Sequence, residues 1–373
     1  MRRLLIVLGC LAGIAVNGFL KFPVLSYIVN GNNDFQGFYA EAQLAGSADL
    51  YNPKALARAE SKVGDHPRYL PMVRLPFYAA MMSPLRAFPY HRAYWIWQSA
   101  SLAALVVFVY FWPGPRKWMT AMACCWSAPL VECFLAGRDV AIVLMVLAVS
   151  LALFFRGRHF AAGCVLSLGL IKYNLFLPLP LLIAGKRLWR LGGGILAGGA
   201  VLLGISFAVS GWSWPLQYAA MLRAPNTTPS YAAMPNLHGL LSGLHGIFPE
   251  AAATCAVLIA VWLVIRGGEN DRAVAAMLAG GLLVSYHAFF GDEAILIPVG
   301  LYLLGQARGT PGKLVGIVML CPLTYIPFRI PNPPIPPSAV LLLPLLVMLV
   351  EEIRARRSRK LPAEVHEVCV TAG

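Results

Sequence analysis

One carboxylate and a few isolated cations stand out in a sequence that is 59% hydrophobic and only 12% charged. The stretch NGNNDFQGFYAEAQLAGSADLYNP begins at Asn30, directly after the first long apolar run, and sets Asp34 among amides and aromatic rings. An acid at the end of a membrane span is either solvated or functional. Phe35, Gln36, Phe38, Tyr39 and Glu41 follow it closely. Such surroundings can hold a carboxylate as a hydrogen-bond acceptor that orients a hydroxyl and takes its proton, which is the behaviour of a general base. Glu41 is the next acid in line.

The isolated cations are Arg68, Arg74, Arg138 and Lys172. All four fall where positive-inside statistics disfavour them, and an ionisable group at membrane depth costs about 2.5 to 3.5 kcal/mol on insertion scales. Something anionic is therefore expected beside each. Arg138 can pair with Asp139 and Arg68 with Asp65, whereas Lys172 has no acid close in sequence and invites a bound phosphate. His287, in SYHAFFGDE, precedes Asp292 and Glu293, either of which could fix its tautomer and make it a donor to phosphate. His238 in MPNLHGLL is a weaker candidate. H-E-x-x-H, nucleophile-elbow, P-loop and dinucleotide-binding glycine patterns are all missing, so zinc hydrolysis and cytosolic nucleotide chemistry have no support.

The elements that must carry these residues are membrane helices. A chain of 373 residues with a mean hydropathy of +0.68 has to bury several helices in lipid rather than in one water-soluble core. The net charge of +14 is scattered between apolar segments instead of forming one stripe, which argues against a nucleic-acid partner. Six of the eight cysteines (Cys10, Cys124, Cys125, Cys164, Cys255 and Cys321) sit in apolar runs without a repeated C-x-x-C, as buried hydrophobes do. Met-Arg-Arg followed by LLIVLGCLAGIAV fits the start of a signal peptide, but apolar character continues through FPVLSYIV. No small-x-small cleavage site follows Gly13, so the run is expected to stay as a first span with a cytoplasmic amino terminus.

Short basic clusters (MRR, GPRK, RGRH, GKRLWR, RGGENDR, ARGTPGK and RARRSRK) alternate with longer stretches rich in aromatic residues and proline. By the positive-inside rule this predicts an all-α polytopic protein with about twelve crossings and both termini cytoplasmic. The crossings are expected near 4–29, 92–112, 118–134, 139–155, 160–171, 174–185, 191–209, 250–266, 272–289, 292–306, 313–329 and 337–351. The fifth and sixth are too short to span alone, since a helix needs roughly 20 residues, and are expected to be broken, with Lys172 at their junction. One membrane domain then covers 1–373, with outer loops at 30–91 and 211–249 and a basic cytoplasmic tail at 352–373. ALARAESKVG and RLPFYAAMMSPLRAF have the composition of interfacial helices, and the second outer loop reads as two more with a polar mouth between them.

In order, the signals DFQGFYAEAQLAGSADLYNP, YLPMVRLPFYAAMMSPL, AGRDVAIVLMVLAVSLAL, AGCVLSLGLIKYNLFLPLPLLI, PNLHGLL and SYHAFFGDEAILIP cover most of the chain. The order resembles glycosyltransferase family 87, multi-spanning enzymes of the GT-C superfamily that include polyprenol-phosphate-mannose-dependent mannosyltransferases. The resemblance implies a GT-C-type fold. It places the family's catalytic base on Asp34, the Lys of its I-K-P stretch on Lys172 and the His of its S-P-H stretch on His287. Three departures stand out: AGRD replaces Gly-Gln-x-Asn, Tyr173 follows Lys172 where the pattern has Pro, and Tyr286 replaces the Pro before the His.

The implied chemistry is sugar transfer with inversion from a polyprenyl-phosphate hexose, mannose foremost, or pentose to a lipid-linked or envelope glycan acceptor, at the outer face of the cytoplasmic membrane. Such transfer needs a base for the acceptor hydroxyl and cations for the departing phosphate. Asp34 is expected to supply the first, and Lys172, His287, Arg74 and Arg138 the second. Tyr39, Tyr69 and Asn236, in the outer loops, are the expected substrate contacts. The leaving phosphate is already anionic, so neither metal nor cofactor is expected. The rival from another class is a transporter or flippase of lipid-linked sugar, although the broken helices in repeated halves that such a protein would show are not evident.

Overall fold

In lipid every backbone amide and carbonyl needs a partner within its own segment, so apolar runs of this length must coil into helices. The computed structural model describes residues 2–29, 33–63, 73–114, 116–223, 234–244, 246–307, 309–330 and 336–360, and among them there are helices and no strand. Five helical segments are long and apolar enough to cross a membrane: Arg3–Leu20, Tyr90–Phe111, His159–Phe176, Trp189–Ser210 and Ile247–Gly267. Two further pairs, Lys117–Trp126 with Ala128–Leu135 and Thr310–Leu320 with Pro322–Phe328, pass the same test but bend by 69° and 64° at their breaks. The first break falls at Ser127, which caps the following helix by accepting from Leu130 N at 3.3 Å, and the second at Cys321–Pro322, where proline cannot continue a helix.

Length and composition thus support five to seven spans among the described residues, against about twelve expected from the charge alternation. Several of the other expected crossings coincide with helices too short to span by themselves: Val140–Phe155, Leu179–Lys186, Asn270–Val284 and Ile297–Gln306. Val140–Phe155 packs against Tyr90–Phe111 and contributes fully buried Leu144 and Leu147 to the interior. The outward faces of the long helices keep large apolar side chains exposed, among them Leu5, Leu102, Leu196 and Ile259, as lipid contact requires. Polar residues tie the first helix down from inside. Asn17 is fully buried and donates to Cys125 O at 3.1 Å, while Trp126 Nε1 reaches back to Gly9 O at 2.9 Å.

The stretch expected as the first outer loop contains short helices. Phe35–Leu44 is followed by Pro53–Glu60, whose cap Asn52 accepts from Lys54 N at 3.0 Å, and by Pro76–Met82. In the stretch expected as the second outer loop, Trp214–Leu222 and Leu237–Leu240 are short helices. Asp65, Arg68 and Tyr69 lie outside the described residues.

Candidate functional site

The site is built where helices stop. One face of the Tyr90–Phe111 helix presents Tyr94, Trp97 and Gln98 at the i, i+3, i+4 spacing, and all three donate to carbonyls of the turn that ends Ala128–Leu135. Tyr94 OH meets Leu135 O at 2.7 Å, Trp97 Nε1 meets Gly137 O at 2.7 Å, and Gln98 Nε2 meets Phe134 O. Gly137 has φ +68, and a Cβ there would stand 2.7 Å from that of Phe35, so both the turn and its contact with the Phe35–Leu44 helix require glycine. Phe35 N closes the junction by donating to Ala136 O at 3.1 Å.

Clamped this way, the turn sends its two charged residues in different directions. Arg138 pairs with Asp34, and Asp139 accepts from Arg74 Nε at 2.8 Å. The sequence-neighbour pairing of Arg138 with Asp139 does not form, because adjacent side chains leaving a tight turn diverge. Asp34 stands at the cap position of Phe35–Leu44 without capping it, which leaves its carboxylate to Arg138. Arg138 also lies over the Phe289 ring at 5.4 Å, and its Nη1 is buried without a hydrogen-bond partner. Gly291 makes room for it, since a Cβ there would come within 2.8 Å of Nη1. Arg74 is flanked by the rings of Phe38 and Tyr78 at 5.8 and 5.9 Å.

Lys172 enters from the expected break. The helix from His159 tightens into a 3-10 stretch, Ser167–Phe176, in which Lys172 alone departs from helical geometry (φ −132, ψ 56). Its ammonium lies against Asp292 and 3.4 Å from Asp139 Oδ1. The acid missing from its sequence neighbourhood is thus supplied twice by the fold. Asp292 accepts in addition from Phe289 N at 2.9 Å, so its oxygens serve Lys172 and the backbone, not the His287 ring as the sequence suggested. His287 is half-buried, with its ring edge-on to Phe289 at 4.7 Å. Asn174 holds it in place by donating to His287 O at 2.6 Å and to Ser285 Oγ at 2.9 Å.

Among the described residues, three cations and three carboxylates therefore form a charge-balanced group: Asp34 with Arg138, then Arg74, Asp139, Lys172 and Asp292 in sequence. The carboxylates differ in access. The Asp34 side chain is 28% exposed, that of Asp292 3% and that of Asp139 0%. Glu41, the second candidate acid, is buried. Burial pushes its carboxyl up to about 8, with Arg74 opposing and Asp139 and Glu60 adding to the rise, so it is protonated at neutral pH and cannot serve there as a base.

Two expected substrate contacts are engaged in hydrogen bonds within the fold. Asn236 is fully buried, accepting from Gly239 N at 3.0 Å and donating to Ser285 O at 2.6 Å, which braces the backbone ahead of His287. Tyr39 is buried and donates to Phe88 O at 2.7 Å. Asp139 and Asp292 are the members that sequence reasoning left outside the site. The signals pointing to them were the expectation that each isolated cation needs an anion and, for Asp292, its place shortly after His287. No group of three His, Cys, Asp or Glu side chains among the described residues is arranged to hold a metal ion.

A multi-pass helical protein with a balanced ion cluster built on its helix breaks is the class that fold and site define. A model of glycosyltransferase family 87 matches residues 76–288, more than half of the chain, and the chain belongs to that family of membrane glycosyltransferases. The matched segment contains Arg138, Asp139, Lys172, Asn236 and His287 and begins downstream of Asp34 and Arg74. No curated protein and no solved structure matches the chain.

Proposed function

We propose that this glycosyltransferase uses a polyprenyl-phosphate hexose, mannose foremost, or pentose, and passes the sugar with inversion to a lipid-linked or envelope glycan acceptor at the outer face of the cytoplasmic membrane. The observation that carries the proposal is the uneven access within the ion cluster. Asp34 is the most exposed of its three carboxylates and also the one paired with the cation that keeps an unpartnered N–H group. In the proposed step the acceptor oxygen bonds to the anomeric carbon as the bond from that carbon to the phosphate oxygen breaks. The acceptor proton goes to Asp34, and polyprenyl phosphate leaves with the bonding electron pair. The leaving group carries its own negative charge, so the step calls on no metal or cofactor.

The balance of the cluster also dictates how a donor enters. A phosphate brought to three cations already matched by three carboxylates must displace one of them. Asp34 is the carboxylate with room to move, so phosphate binding at Arg138 would release the base toward the acceptor. Lys172 and Arg74, tied through buried Asp139, keep the positive side of the site fixed. The same reading takes the architecture as GT-C-type and both termini as cytoplasmic.

The test is transfer of labelled sugar from a panel of polyprenyl-phosphate donors by purified protein in detergent, where flipping has no meaning. Product formation that depends on Asp34 supports the reading. Binding of donor without transfer from any member of the panel would favour a lipid-linked-sugar transporter.

A further inference from the structure

Two of the chain's departures from the family pattern meet in space. Tyr173 and Tyr286 stand where the I-K-P and S-P-H stretches have proline, 113 positions apart, and their hydroxyls are hydrogen-bonded to each other. Tyr173 OH is also 2.9 Å from Tyr218 OH, and Tyr218 OH donates to Val73 O at 3.4 Å. That carbonyl can only accept, so it sets the direction of the whole chain of hydroxyls. Tyr218 donates to Val73, Tyr173 to Tyr218 and Tyr286 to Tyr173, which leaves the Tyr286 oxygen presenting lone pairs at the outer end. Tyr286 is 44% exposed. Each part of the chain adjoins the ion cluster: Tyr173 is next to Lys172, Val73 next to Arg74 and Tyr286 next to His287.

The rings continue the path. Tyr286 lies 6.4 Å from the His287 ring, His287 lies 4.7 Å from Phe289, and Phe289 lies 5.4 Å from the Arg138 guanidinium that holds Asp34. Phe289 is 39% exposed. A row of partly exposed rings with a hydroxyl acceptor at one end and the general-base candidate at the other suits a ligand that has both apolar C–H faces and many hydroxyls. Lipid tails would have no use for the hydroxyl chain, and a phosphate would find only an acceptor there.

We propose that Tyr286, oriented by Tyr173 and Tyr218, is a saccharide-binding subsite that receives the acceptor glycan and helps to set which acceptor the enzyme takes. This rests on the transferase reading above. The acceptor is assigned here, rather than the donor sugar, because the donor phosphate is assigned to Arg138, at the opposite end of the row of rings from Tyr286. Family members that keep proline at both positions lack the hydroxyl pair and would have no equivalent subsite.

The experiment measures binding of octyl hexosides and octyl pentosides, without donor, to full-length protein in a non-glycosidic polyoxyethylene detergent, with octanol as the control for the alkyl chain. At least one glycoside is expected to bind wild type better than octanol does. Its Kd should rise about three- to tenfold in Tyr286→Ala, which loses ring and oxygen. A smaller rise is expected in Tyr286→Phe, which keeps the ring and covers the case in which the alanine variant fails to fold. Tyr173→Phe should resemble Tyr286→Phe, because it breaks the chain that orients the outer oxygen. Binding unchanged within twofold in Tyr286→Ala, no glycoside bound by wild type, or a rise confined to the KM for donor would each overturn the subsite. Failure of the parent reading looks different: glycosides bind in a Tyr286-dependent way, yet no donor is ever turned over.

Discussion

The Asn270–Val284 helix has a buried ion network at each end, and the two are built differently. Near its start Arg272 donates to Glu351 and Glu352, each at 3.4 Å, and Glu352 accepts from Arg356 one turn along its own helix at 2.9 Å. All four residues lie on regular helices, and Tyr302 and the Leu263 carbonyl complete the set. Beyond the other end, roughly 22 Å away at 1.5 Å per residue, Asp34, Arg138, Asp139, Lys172 and Asp292 stand on a helix cap, a tight turn, a kink and the start of a 3-10 stretch. The first network ties helix to helix, and its carboxylates, Glu351 and Glu352, are only 12% and 1% exposed. The second has an accessible carboxylate, an unpartnered guanidinium N–H and exposed aromatic rings beside it. Burying charge is therefore not enough to make a site. Charges carried on irregular backbone can be aimed at a common point, whereas charges on helices are held to the helix faces.

Breaking each network should separate chemistry from stability. The largest effect is expected for Asp34→Asn, which keeps size and polarity but cannot take a proton. Transfer should fall at least about 100-fold, the lower range of general-base contributions, while melting temperature falls only modestly, because Arg138 loses its ion partner but keeps a hydrogen-bond acceptor in the amide oxygen. Asp49→Asn is the control, because Asp49 is exposed and its carboxylate accepts from Asn52 Nδ2 at 3.0 Å within its own turn. Near-normal transfer by well-folded Asp34→Asn would remove this residue as the base.

Lys172→Met comes next. A charge-assisted contact is worth about 1.5 to 3 kcal/mol, so kcat/KM for donor should fall roughly 10- to 150-fold. Since the same change leaves Asp139 and Asp292 facing each other, melting temperature should fall as well, and Lys172→Arg should restore more of the stability than of the activity. Loss of stability with donor kinetics intact would reduce Lys172 to a structural ion.

At the other end, Arg272→Gln should cost about 1.5 to 3 kcal/mol of stability, the worth of a hydrogen bond to a charged group, because Glu352 keeps its bond from Arg356. Transfer per folded molecule should stay within twofold of wild type. A change in donor KM there would show that the two networks are coupled along the helix.

The smallest effect concerns Glu41, behind Arg74. Its carboxyl titrates near 8 in the fold because of burial and near the ordinary value of 4.5 when unfolded. Its contribution is therefore fully present below about pH 4.5 and is lost as pH rises through about 8. Glu41→Gln stays neutral throughout, so thermal melts should show the variant gaining roughly 2 to 5 °C on wild type at pH 8 relative to pH 5. Parallel curves would mean that Glu41 is ionised in the fold.

The sequence alone determined the helical membrane class, because long apolar runs in lipid have no other way to satisfy their backbone. It also determined the break at Lys172, since the two flanking runs are each too short to span, and it singled out Asp34 as a functional acid and Arg74, Arg138 and Lys172 as cations in need of partners. Which partner each one took was decided only by the tertiary structure. Arg138 reached back 104 positions to Asp34 instead of one position to Asp139, and Lys172 found Asp292 120 positions away. The hydrogen-bond partners of Asn236 and Tyr39, Ser285 O with Gly239 N and Phe88 O, were likewise decided by the packing. The reason is physical. Hydropathy and helix breaking are properties of short segments, legible along the chain, whereas ion pairing in a low-dielectric interior depends on which helix ends are packed together.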